Sequence, residues 1–194
     1  MIHKHYIAAA APDAWVSAKP EPSGIGVDVM LPEYLAVEVT STAGGRDVFT
    51  VIEGPHVGEA YSLLVGRVRP GNPGWRGPAR LSFNIGKQRL NFPGGQVRAK
   101  TAQAHPIAPG TYPLQIPDFP HEVGGNNLSN SRSWFHLGRG GPPAGGGAGY
   151  LNTLRTSDGG ITVEAADWPA LYQYLIFCRN ADGRSVGTVA VTRV

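Results

Sequence analysis

Alternation of apolar and polar residues runs along most of the chain and predicts strands far more often than helix. Residues 27–30 and 35–40 show the period-two pattern of half-buried strands. Residues 47–53 predict a stronger strand, stopped by Gly54 and Pro55, and residues 60–68 predict the next one. Residues 80–84 and 88–92 read as a hairpin around Ile85, Gly86 and Lys87, followed by a strand at 96–101. A further strand is expected at 112–116, leaving the turn made by Pro109 and Gly110. Trp134, Phe135 and His136 read as a strand end, and 150–155 as a full strand. One segment changes period. Asp167 suits an N-cap, Pro169 suits the first helical turn, and Leu171, Tyr174 and Leu175 share one face of a short helix. Residues 176–179 and 186–194, joined by a turn at 180–183, are expected to close the sheet as a final hairpin. The fold class that follows is mainly β with one short helix, a β-rich α+β chain.

Composition shapes the connections. The chain has 194 residues, of which 27 are glycine and 17 proline. Both residue types break helix interiors and favour turns. Residues 1–26 are rich in Ala, Pro, Ser and Gly and are expected to be irregular, with Trp15 as an anchor. Residues 69–78 predict a surface loop in which Trp75 and Arg76 form a binding platform or, the favoured reading, Trp75 folds back over the sheet edge. Residues 117–132 predict a long polar loop able to cover a cleft, with His121 and Glu122 solvated on it. Residues 138–149 are glycine-rich but contain no Lys followed by Ser or Thr, which argues against a phosphate-binding loop. Two portions are expected, an N-terminal β portion and arm at 1–79 and a second domain at 80–194, or one compact unit spanning both.

Charge narrows the partners. The formal net charge is +3 and 16% of residues are charged, with no block of one sign. That suits weak attraction to an anionic polymer such as cell wall and falls short of a nucleic-acid footprint. No stretch approaches the roughly 20 apolar residues of a membrane span. The apolar run near the N-terminus is short and broken by His5, so no signal peptide is expected. The chain is expected to be cytoplasmic as made, reaching a wall only through lysis, a secretion machine or a phage particle. The single cysteine, Cys178, allows no intramolecular disulfide and is expected to be a small buried hydrophobe.

The candidate chemistry lies at His136 and at Ser157, Asp158, Gly159, Gly160, Ile161 and Thr162. Imidazole is suited to general-base work near neutrality. The Asp158-Gly159-Gly160 run also has the composition of an ordinary hairpin turn between strands. No third ligand with metal-site spacing accompanies His136 and Asp158, and neither a metal nor a cofactor is expected.

In the order of its parts, residues 80–194 resemble the catalytic domain of L,D-transpeptidases, bacterial enzymes that cross-link or trim peptidoglycan stem peptides with a cysteine nucleophile. The resemblance rests on Pro109-Gly110-Thr111-Tyr112, on His136 with Gly138, and on Ser157, Gly159 and Ile161 followed by the short helix. It implies a sandwich or barrel with extra N-terminal strands. It also implies His136 as the base, a site shaped by Ser157, and a groove lined by Trp134, Gly138, Gly159 and Tyr112, while Asp158 could pair with His136 or orient water. Gly160 stands where the family has its cysteine, Asp158 where it has histidine and Thr162 where it has arginine. Three functions remain open. The chain binds stem peptides without a nucleophile, it processes them through another group, or it is a structural or assembly β-protein.

Overall fold

The structure is a computed structural model that describes residues 4–8, 15–22, 26–118, 120–122, 131–132, 134–138, 149–153 and 159–193. The chain forms two compact units, Met1–Trp75 with Pro117–Ser133, and Arg76–Ile116 with Trp134–Val194.

The first unit is built on a seven-stranded sheet. Its strands are β1 (His5–Ile7), β2 (Trp15–Pro20), β3 (Val29–Pro32), β4 (Ala36–Ala43), β5 (Arg46–Val51), β6 (Ala60–Leu64) and β7 (Val68–Pro70). They lie in the order β3-β2-β6-β5-β4-β1-β7. Burial alternates along β5, so Asp47, Phe49 and Val51 face inward while Arg46, Val48 and Thr50 are half-buried. Phe49, fully buried, packs against Tyr61 at a ring separation of 6.5 Å.

The strands of this unit differ in three places from the pattern expected of the sequence. Residues 1–26 are not irregular throughout, because β1 pairs with both β4 and β7, and β2 pairs with both β3 and β6. Short strands with sequence-distant partners leave little local signal. The strand expected at 27–30 runs instead from Val29 to Pro32. The one expected at 60–68 is two strands, split at Gly66, whose φ of +92° suits a turn.

The second unit is built on an eight-stranded sheet. It begins with β8 (Ala79–Asn84), β9 (Arg89–Phe92), β10 (Gly95–Lys100) and β11 (Gly110–Gln115). The hairpin of β8 and β9 forms as expected. A short antiparallel pair, β12 (His121–Glu122) with β13 (Ser131–Arg132), belongs to the first unit and lies within the segment expected to be a loop. The second unit resumes with β14 (Phe135–His136), β15 (Tyr150–Thr153), β16 (Ile161–Val163), α1 (Trp168–Leu175) and β17 (Ser185–Thr192). The strand order is β11-β17-β8-β9-β10-β16-β15-β14. The two edges then meet, through a bridge between Leu114 and Leu137 and a hydrogen bond from Gly138 N to Pro113 O at 2.8 Å. The sheet is thus a nearly closed barrel, which removes the exposed edges an open sheet would present.

Two connections differ from expectation. The final hairpin does not form. Cys178 makes an isolated bridge to Arg76, while β17 pairs antiparallel with β11 and parallel with β8. Strands β15 and β16 are parallel, with Leu151 opposite Ile161, and so are not the two arms of a hairpin. The helix buries Trp168, Leu171, Tyr172 and Leu175. Tyr174, expected on that face, is half-buried at its edge, against Phe92 and under the Arg76 guanidinium. Asp167 makes no side-chain cap and instead accepts a hydrogen bond from Arg98 N at 3.2 Å.

The turn before β17 is held by Asp182. Its carboxylate accepts from Arg184 N and Ser185 N at 2.8 Å each and from Ser185 Oγ at 2.6 Å. Burial pushes this carboxyl upward, but these bonds outweigh it and hold the group below the usual carboxylate range. A depressed folded-state pKa contributes stability above the unfolded value, and that stability is lost as pH falls through the folded one. Asp182→Asn is therefore expected to lower stability by about 1 kcal/mol at pH 7. In urea titrations the gap to the parent should shrink as pH falls below about 4.

Candidate functional site

Three adjacent strands set the candidate residues in one row. His136 on β14 pairs with Tyr150 on β15. Leu151 pairs with Ile161, so continuing the register by one residue sets Gly160 beside Tyr150. Successive residues of a strand face opposite sides. Phe135, Leu151 and Ile161 are fully buried, with Phe135 against Trp168 and Tyr172 of the helix. His136, Tyr150 and Gly160 therefore share the other face. Two interstrand spacings separate the backbones of His136 and Gly160, roughly 10 Å.

The imidazole is positioned from both sides. Its Nδ1 lies 3.1 Å from Gln115 Oε1, across the barrel seam. A proton on Nδ1 donates to that oxygen and leaves Nε2 as the acceptor nitrogen. Gln115 sits beside a register irregularity in the pairing of β11 with β17, where Val186 is the extra residue of β17. On its other side the imidazole meets the Tyr150 ring edge-on, with centroids 5.1 Å apart at 72°. Trp134 packs on the same tyrosine at 5.8 Å. The result is a half-buried His136–Tyr150 pair braced by an exposed glutamine and a buried indole.

Glycines make this end of the sheet possible. A Cβ on Gly149 would overlap the carbonyl of Gly159 and lie 2.7 Å from Gly160 N. A Cβ on Gly138 would lie 2.7 Å from Pro113 Cγ and 3.2 Å from Gln115 Nε2. Gly159 has a φ of +63°, and its N–H donates to His105 O at 2.9 Å. Gly138 and Gly149 thus allow close backbone approach, and Gly159 allows the turn geometry.

Ser157 and Asp158 lie outside the described residues. Tyr112 falls on the opposite face of β11 from Gln115, and its hydroxyl donates to Ala108 O at 2.9 Å. Burial raises the pKa of that hydroxyl. Trp75 folds back within the first unit, its Nε1 donating to Tyr34 O at 3.1 Å and its ring meeting Tyr6 edge-on. Cys178 is fully buried and its Sγ donates to Tyr174 O at 3.2 Å. Burial raises its pKa, which keeps it a thiol and a poor nucleophile.

Gln115, Tyr150 and Asn152 went unmarked as site residues in the sequence. Gln115 and Tyr150 read only as strand positions. Asn152 is fully buried in β15, beside Thr162 of β16, and an amide inside the apolar Tyr150–Leu154 run was the available signal. Among the described residues no group of three His, Cys, Asp or Glu side chains could hold a metal ion. No helix among them is long and apolar enough to cross a membrane.

Chemically, the row offers one acceptor nitrogen and a phenol, with no nucleophile at position 160. Covalent acyl transfer needs an activated nucleophile. Recognition of a peptide needs hydrogen-bonding groups and aromatic surface, and the row supplies both. Comparisons with protein-family models, curated proteins and solved structures find no match to the chain.

Proposed function

We propose that the second unit binds peptidoglycan stem peptides at the half-buried His136–Tyr150 pair of β14 and β15 and leaves them chemically unchanged. The observation that carries this reading is the lateral row of His136, Tyr150 and Gly160, with the imidazole fixed by Gln115. The order of motifs in the sequence supports it from a second direction. The peptide backbone meets His136 and Gln115, and its methyl groups meet Tyr150, which Trp134 supports from within.

Calorimetric titration with a soluble stem tetrapeptide tests this proposal. Saturable binding is expected, weakened about 10-fold by Tyr150→Ala and by a similar factor by His136→Ala, as for residues central to a small interface. Near-ultraviolet circular dichroism confirms that each variant is folded. A folded parent protein that takes up no peptide contradicts the proposal and favours the assembly role, which sedimentation would then reveal as an oligomer.

A further inference from the structure

A second recognition surface lies wholly within the first unit. An open groove of about 400 Å³ is lined by residues that include Ser17, Lys19, Asp28, Arg46, Leu64 and Arg67. Three cations meet one carboxylate there. None of Lys19, Arg46 and Arg67 has an acidic partner among the described residues.

One of these cations is held in place before any ligand arrives. Arg46 Nε donates to Ser62 Oγ at 3.0 Å, and its Nη2 donates to Ser62 O at 2.8 Å. Ser62 is itself buried, so the guanidinium is pinned to a rigid strand. Lys19 stands directly across from Ser62 on the neighbouring strand and is exposed. Arg67 enters from the turn after β6 and is also exposed. Nη1 of Arg46 has no partner among the described residues.

The apolar lining is equally specific. Leu64 is 61% exposed and its neighbour Val65 57%, while Val27, next to Asp28, is 88% exposed. Of these, Leu64 lines the groove and offers apolar contact to a ligand there. Asp28 Oδ2 accepts from Ser17 Oγ at 2.6 Å, which fixes a negative group among the cations. A densely charged polyanion would be repelled by it. A ligand with spaced carboxylates, apolar side chains and N–H donors would satisfy all of these groups.

We infer that this groove binds an acidic peptide segment. Its carboxylates pair with Lys19, Arg46 and Arg67, its N–H groups meet Asp28, and its apolar side chains cover Leu64. This inference does not depend on the second unit's ligand.

The test is calorimetric titration of the full chain with a blocked Leu-Glu-Leu-Glu peptide, its Leu-Gln-Leu-Gln counterpart and inorganic phosphate. The acidic peptide should bind saturably. The neutral one should bind at least about 10-fold more weakly, and rising salt should erode the difference. Lys19→Gln and Arg67→Gln, both at exposed positions, should each weaken binding by about 3- to 10-fold without changing the melting temperature. Equal binding of both peptides, no binding of the acidic one, or indifference to both substitutions would overturn the inference. Phosphate that binds more tightly than the peptide and displaces it would reassign the groove to phosphate groups, which also overturns it.

Discussion

Phe135→Ala is expected to destabilise the second unit by about 4 kcal/mol, in the range for truncating a fully buried aromatic ring. Phe135 has no exposed surface and packs against Trp168 and Tyr172 of α1, each at a centroid separation of 6.2 Å. It is the contact by which the short edge strand β14 is tied to the helix. The cavity left behind cannot close by collapse of the strand, because β14 is also fixed at the seam by the Leu114–Leu137 bridge. Since Phe135 precedes His136, the same substitution frees the imidazole from its place beside Gln115. Chemical denaturation should show a lower midpoint with an unchanged slope. Stem-peptide affinity should fall even at temperatures where the variant remains folded. A loss below about 1 kcal/mol would mean that β14 does not depend on the helix.

Gly187→Ala is expected to cost about 3 kcal/mol through overpacking. Gly187 lies in β17 between Ala79 of β8 and Leu114 of β11. A Cβ there would overlap the backbone O and N of Ala79. Those atoms belong to the sheet and cannot swing aside as a flexible side chain could. Gly183→Ala gives the contrast. A Cβ at Gly183 meets nothing within 4 Å, and the only penalty is the left-handed φ of +65°, about 1 kcal/mol. Thermal melts of the two variants should separate clearly, with Gly187→Ala the lower. Equal melting temperatures would contradict the tight pairing of β17 with β8.

The β-rich class and most second-unit strands were legible because local alternation encodes them. The hairpin of β8 and β9 and the helix at Trp168–Leu175 follow from spacing that neighbouring residues carry. What failed was long-range. The pairing of β17 with β8 and β11 joins residues about a hundred and about seventy-five positions apart, and no local pattern specifies that choice. The helix face was shifted because Tyr174 finds an edge contact under Arg76, where burial pushes its hydroxyl up to about 12, while Tyr172 takes the core. Strands β1 and β2 were missed because three to six residues amid Ala and Pro give too little period to read. At the candidate site, His136 was legible as chemistry, while Gln115 and Tyr150 became visible only when the barrel seam and the strand register brought them to it.

A cysteine placed at position 160 would project from the same face as His136, with Tyr150 between the two. A general base must come within about 3 Å of the proton it takes, directly or through one water. Restoring the sulfur alone should therefore not restore acyl transfer.

The most direct measurement incubates the parent protein and Gly160→Cys with isolated peptidoglycan. Soluble muropeptides are then analysed by chromatography and mass spectrometry, and the protein that sediments with the sacculi is quantified. The account predicts that both proteins sediment with the sacculi and that both leave the muropeptide profile unchanged. New cross-links, exchanged terminal residues or shortened stems from the parent protein would show that another group attacks. Parent protein that stays in the supernatant would remove the wall from its function altogether.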